Sequence, residues 1–149
     1  MEERLIRRGL TTEVDGRQAV KYHFLTIDHP SFENITREKA YSKLTEEYAT
    51  GEPIFRPSSK GPNHLNASFK IDDTPLPIIM DQLIAQDPSM KDKKNPLGLS
   101  EKLMIDQEEF EDLDEIIARY ISPLMGNVED LKRHKYYWIW VGLDFLRFL

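Results

Sequence analysis

The sequence predicts an α+β domain: a small central antiparallel sheet flanked by two helices, with a helical C-terminal extension. Three observations carry that expectation. Apolar residues recur at helical spacing over residues 40–48, alternate with polar residues over 64–71, and return to helical spacing over 110–121. With 149 residues, the chain is long enough for one domain with a real core and short for two.

Residues 1–28 read as an N-terminal arm. Arg4, Arg7 and Arg8 stand among acids, Asp15-Gly16 marks a turn, and residues 19–27 have the composition of a short strand. Charges of both signs occupy the first ten residues, where a signal peptide would need an apolar core. His23, Asp28 and His29 are close in sequence, but a fourth ligand is missing, and no metal site is expected there. His29, Pro30, Ser31 and Phe32 then lead into the first helix. Thr36 suits its N-cap, Glu38 suits the helix dipole, and Ile35 can staple onto Ala40. Ala40, Tyr41, Leu44 and Tyr48 form the apolar stripe, and Gly51 ends the pattern. Arg37 lies in the first turn, either as a surface cation or facing the same site as Arg56.

The stretch Ile54, Phe55, Arg56, Pro57, Ser58, Ser59, Lys60 and Gly61 is the candidate site. On a strand, period-2 alternation puts Ile54, Arg56 and Ser58 on one face, so an arginine shares its face with a core residue. A buried guanidinium needs an anion, either a carboxylate of the same chain or a phosphate from outside. The hydroxyls and turning backbone after Arg56 favour the phosphate, since successive N–H groups make an anion-binding concavity and arginine matches phosphate geometry. Residues 64–71 alternate Leu65, Ala67, Phe69 and Ile71 with His64, Asn66, Ser68 and Lys70, and read as a strand paired back on the first. His64 is then near the loop hydroxyls, as a solvated strand residue or as a ligand.

Residues 72–75 read as a turn, 78–80 as a short buried strand after Pro77, 85–96 as a loop, and 103–106 as a last short strand. Residues 106–115 hold seven acids, interrupted by Phe110 and Leu113. With Ile116, Ile117, Tyr120 and Ile121 they are expected to form the second helix, its acids at the N-terminal half and Pro123 at its end. From residue 127 a polar helix is expected, followed by an apolar run over 136–149. That run contains Asp144 and Arg147 and is shorter than the roughly 20 apolar residues of a spanning helix, so no membrane insertion is expected.

Several function classes drop out. The chain has no cysteine, which removes disulfides, thiolate metal sites and cysteine-nucleophile phosphatase chemistry. A net charge of −6 argues against general nucleic-acid binding, so anion binding must come from a local positive site. No glycine-rich nucleotide loop is present, and the expectation is a protein without catalysis and without a cofactor.

The segment GEPIFRPSS (residues 51–59) resembles the phosphate-binding strand of Src-homology-2 domains, in which a glycine and several apolar residues precede an arginine and a serine. Ile35-Thr36-Arg37 is similar to that family's first-helix opening, and FEDLDEIIARY (110–120) to its second helix. The strings HPSF, RPSSKG, NHL, EEFEDLDEIIARY and HKYY look most like the first domain of the tandem pairs carried by nuclear transcription elongation factors that are also histone chaperones. The resemblance spans residues 29 to about 137. It implies a reader of phosphorylated protein, with Arg56 clamping phosphate, Ser58, Ser59 and Lys60 closing round it, His64 lining the pocket, and Arg37 touching phosphate or an aromatic ring. The implied partners are the phosphorylated linker of the largest RNA polymerase II subunit, read at phosphothreonine or phosphoserine, and a missing second Src-homology-2 domain. The implied division is an arm over 1–28, a domain over 29–126, and an extension over 127–149 that starts a linker or a truncated second domain. Residues 77–81 lack the histidine that family members usually carry there. The alternative is a structural or scaffolding domain whose Arg56 is paired internally with a carboxylate of the acidic segment.

Overall fold

A computed structural model describes residues 13–14, 17–18 and 24–132. Two short strands, β1 (Glu13–Val14) and β2 (Arg17–Gln18), pair antiparallel, and the turn expected at Asp15-Gly16 lies outside the described residues. Residues 19–23 of the strand expected over 19–27 and the apolar run over 136–149 lie outside the described residues, and residues 24–27 join no strand.

The centre is a five-stranded antiparallel meander, with order β3-β4-β5-β6-β7. Its strands are β3 (Pro53–Ser58), β4 (Gly61–Asp72), β5 (Ile78–Gln86), β6 (Leu103–Ile105) and β7 (Glu108–Phe110). The chain before the first helix lies along the free edge of β3, where Phe55 N donates to Ser31 O at 2.8 Å and Glu33 N donates to Phe55 O at 2.9 Å.

Helix α1 (Arg37–Glu47) starts where its cap predicts: the Thr36 hydroxyl oxygen accepts from Lys39 N at 3.3 Å. It buries Ala40 and Leu44 against Ile54, with Ile35, Tyr48 and Ile79 around them. The opposite face of the sheet carries the main core, where Phe55, Leu65, Ala67, Phe69 and Ile84 pack against Leu113, Ile116, Ile121 and Val128. The sheet is therefore covered on both faces, which is why the polar side of β4 is buried as well, at Ser68, Lys70 and Asp72. Core packing reaches beyond residues 29–126 on both sides, through Leu25 and Val128.

Three expectations are corrected. The strand expected at 78–80 continues to Gln86, because β5 pairs along β4 from Asp72↔Ile78 to His64↔Ala85. The acids at 106–110 do not begin a helix. Asp106 turns the chain at φ 55°, and β7 pairs with β6 so that Phe110 stands opposite Leu103, both buried. Burying an apolar cross-strand pair outweighs the local preference of acids for a first helical turn. Asp112, six residues later than Asp106, is the true N-cap and accepts from Glu115 N at 2.8 Å.

Nor does Pro123 end the second helix. Helix α2 (Leu113–Ile116) passes through a π-helical segment (Ile117–Ile121) into α3 (Ser122–Lys132). Within the wide turn Ser122 N bonds Ile117 O, an i to i−5 contact. A turn widened ahead of a proline accommodates its ring and its missing N–H without stopping the helix.

Candidate functional site

The site forms where the first turn of α1, the end of β3 and the middle of β4 and β5 meet on one sheet face. Alternation along β3 places Ile54 in the small core under α1 and Arg56 next to it on the same side. A cavity of about 410 Å³ opens beside that arginine, and its walls include Arg37, Arg56, Ser58, Ser59 and Lys60.

Arg56 is held from two sides. Its Nε donates to Ser68 Oγ at 3.1 Å, and its Nη2 donates to Asp81 Oδ2 at 2.6 Å. Ser68 Oγ in turn donates to Asp81 Oδ1 at 2.7 Å, closing a ring of three side chains. The ring follows from register: Ser68 faces Ile54 on one side and Asp81 on the other, so both project on the arginine's face. The Arg56 side chain is 7% exposed and that of Asp81 21%. The other N–H donors of Arg56 have no protein partner among the described residues.

Arg37, at the first position of α1, is 60% exposed, and its Nε lies 3.9 Å from Asp81 Oδ2. Its guanidinium stands 5.1 Å from the Tyr41 ring centroid, a cation–π contact that holds it on the cavity side of α1. The Tyr41 side chain first, and then Asp81, keep the Arg37 guanidinium above the usual arginine range. Burial, and then the Asp81 charge, push the Tyr41 phenol up. After Arg56 the ladder slips between Pro57 and Ser58, and Ser58 closes the hairpin opposite Gly61 at φ 120°. The buried Ser58 hydroxyl oxygen accepts from Lys60 N at 3.1 Å, which leaves the Ser59 and Lys60 side chains at the exposed rim.

Five of the six residues expected at the site therefore line one cavity. His64 does not. It pairs opposite Ala85, one same-face position beyond Asn66. Its Nδ1 is buried without a hydrogen-bond partner among the described residues. The carboxylate that meets Arg56 also differs from the expected one: it is Asp81 of β5, and the acidic segment over 106–115 lies on β7 and α2 instead. Sequence reasoning passed over Asp81, Ser68 and Asn66. The signal for Asp81 was a single acid within an otherwise uncharged strand, IIMDQLIAQ. His29, considered with His23 and Asp28, has its ring occupied otherwise, since Nδ1 accepts from Ser31 N at 3.0 Å and Nε2 lies 2.8 Å from Asp114 Oδ1.

An SH2 domain profile matches residues 9–139 of the chain. The chain is similar to the transcription elongation factor SPT6 of Drosophila melanogaster, 40% identical over 111 residues that make up 74% of this chain and 6% of that protein. It is similar to an SPT6-like transcription elongation factor of Arabidopsis thaliana, at 38% over 109 residues, 73% of this chain and 8% of the relative. It thus spans less than a tenth of the length of these curated relatives. Among solved structures it resembles the tandem SH2 domain of transcription elongation factor Spt6, described as binding the phosphorylated RNA polymerase II C-terminal repeat domain. There the TM-score is 0.64 at 25% identity, over 74% of this chain and 53% of that one. The tandem SH2 domains of Antonospora locustae Spt6 share the fold, with a TM-score of 0.54 at 20% identity over 72% of this chain and 51% of that one.

Proposed function

The chain belongs to the SH2 domain family, and on that premise we propose that it is a phosphopeptide-binding module without catalysis, with Arg56 as its phosphate clamp. One observation carries the reading: a guanidinium almost wholly removed from water on the wall of a cavity that also gathers Arg37 and Lys60, in a chain whose net charge is −6. A phosphoryl group of about −1.5 to −2 charge offers three acceptor oxygens to the unpartnered Arg56 donors, the Ser58 and Ser59 hydroxyls and the rim cations. His64 has no place in this version of the site.

The partner in this proposal is phosphorylated RNA polymerase II. The Spt6 neighbour supports it with the C-terminal repeat domain that its description names, and the resemblance of the sequence points to the phosphorylated linker before those repeats, read at phosphothreonine or phosphoserine. Such a module acts in the nucleus, beside a second SH2 domain of the same factor, with no direct contact to nucleic acid or membrane. In this proposal residues 29–126 carry the binding site, while 1–28 form an arm and 127–149 an extension toward that second domain, each lending the core a residue, Leu25 and Val128.

The test is a titration of the full chain with linker and repeat peptides in phosphothreonine, phosphotyrosine and unphosphorylated forms, on wild type and Arg56→Ala. Tighter binding of a phosphorylated form, lost in Arg56→Ala, is the expected result. Equal affinity for all forms overturns the proposal. The contact of Arg56 with Asp81 favours one second reading, a structural domain whose arginine is satisfied internally. On that reading Arg56→Ala lowers thermal stability and no peptide form is preferred.

A further inference from the structure

We propose that Asp81 determines what the cavity accepts: as an internal carboxylate on Arg56, it excludes acidic peptide side chains and leaves a phosphoryl group as the ligand class able to displace it. The inference rests on the phosphopeptide reading of Arg56. Its physical basis is the closed ring of Arg56, Ser68 and Asp81, with contacts of 2.6, 2.7 and 3.1 Å.

Asp81 stands opposite Ser68 in the β4–β5 ladder, so its carboxylate is delivered to Arg56 by backbone pairing and loses no translational freedom in binding there. A glutamate or aspartate side chain from a peptide brings the same chemistry and must give up that freedom. It gains nothing from the Nη2 contact that Asp81 does not already supply. Asp81, together with Glu38 on the cavity wall, also repels it. Like charge placed against a competing ligand is how a site rejects a near-equivalent. A phosphoryl group differs in two ways. It carries more charge and a third acceptor oxygen, and it can engage Arg37, Lys60 and the hydroxyls of 58 and 59 at the same time as Arg56. Asp81 thus weakens binding of every anion, but weakens single carboxylates to the point of exclusion.

The experiment uses the 149-residue chain and one peptide sequence carrying threonine, glutamate or phosphothreonine at the same position. Asp81→Asn keeps an oxygen to accept from Arg56 and removes the charge, while Asp81→Glu keeps the charge. In wild type the glutamate peptide is expected to bind no better than the threonine peptide. In Asp81→Asn the glutamate peptide gains about tenfold over threonine, and the preference for phosphothreonine over glutamate falls by about the same factor. Asp81→Glu restores the wild-type preference. An unchanged preference in a folded Asp81→Asn protein overturns the inference and leaves the phosphopeptide reading standing. Equal binding of all three peptides by wild type and Asp81→Asn alike overturns both. If Asp81→Asn does not give a cooperative thermal melt, wild type decides alone. Inorganic phosphate should then displace a labelled phosphopeptide while acetate at equal ionic strength does not, and equal displacement by the two overturns the inference.

Discussion

Arg56 Nη2 and Asp81 Oδ2 meet at 2.6 Å across 25 residues of sequence, with Ser68 bonded to both. The contact joins the edge strand β3 to the central strand β5 at the wall of the cavity, so the arginine's ligand chemistry and the packing around it are coupled.

Replacing Arg56 by alanine should therefore show in two measurements. Calorimetric titration should lose the phosphate-dependent part of peptide affinity, on the order of 2–4 kcal/mol for a buried bidentate clamp. Thermal unfolding should show a loss of about 1–3 kcal/mol, because Asp81 and Ser68 are left without their partner. Arg56→Lys should not restore affinity, since an ammonium lacks the planar fork that holds Ser68 through one N–H while presenting others to phosphate.

Ile54 carries the small core under α1 and is fully buried with Ala40 and Leu44. Ile54→Ala should cost about 2–5 kcal/mol in urea unfolding. It should also raise amide exchange along α1 and weaken phosphopeptide binding, because that helix carries Arg37. Loss of stability with unchanged exchange in α1 would separate the helix from the core beneath it.

Gly51 has φ 83°, its N–H bonds Lys70 O at 2.8 Å, and a Cβ placed there would lie 3.2 Å from Met125 Cγ. Gly51→Ala should destabilise by about 1–2 kcal/mol, mainly through the left-handed backbone. Adding Met125→Ala should not recover that loss in a melt, since the contact on Gly51 is with a flexible side chain that can move. Full recovery would instead assign the cost to sterics.

Asp87 accepts from the Ser89 hydroxyl at 2.7 Å and from Ser89 N at 3.0 Å, and these two bonds, the hydroxyl first, hold its carboxyl below the ordinary range. A depressed carboxyl contributes stability that is present above its unfolded value and is lost as pH falls through the folded one. Ser89→Ala should raise the Asp87 titration midpoint, followed by carboxylate NMR. An unmoved midpoint would remove the hydroxyl as the cause.

Legibility in the sequence divides along the range of the interactions. The α1 cap at Thr36, its buried stripe of Ala40 and Leu44, the Arg56 strand and the turn at Gly61 were all readable, because capping, side-chain alternation and positive φ act within a few residues. The run of acids before Leu113 misled because local charge matched a helix start, while the partner that made it a hairpin, Leu103 opposite Phe110, lies outside the window. Pro123 misled because a proline on its own reads as a helix stop, whereas the π turn over Ile117–Ile121 precedes it and the helix runs on to Lys132.

The sequence by itself determined that an arginine would share a face with core residues beside a hydroxyl-rich turn, and it carried the strings of the SH2 family. Only the tertiary structure decided that Asp81 closes on that arginine, that Ser68 bridges them, and that His64 is left outside. Those outcomes depend on the register of β3 and β5 against β4. Register is set by how two buried sheet faces fit their helices, a balance of long-range packing that no short window of residues contains.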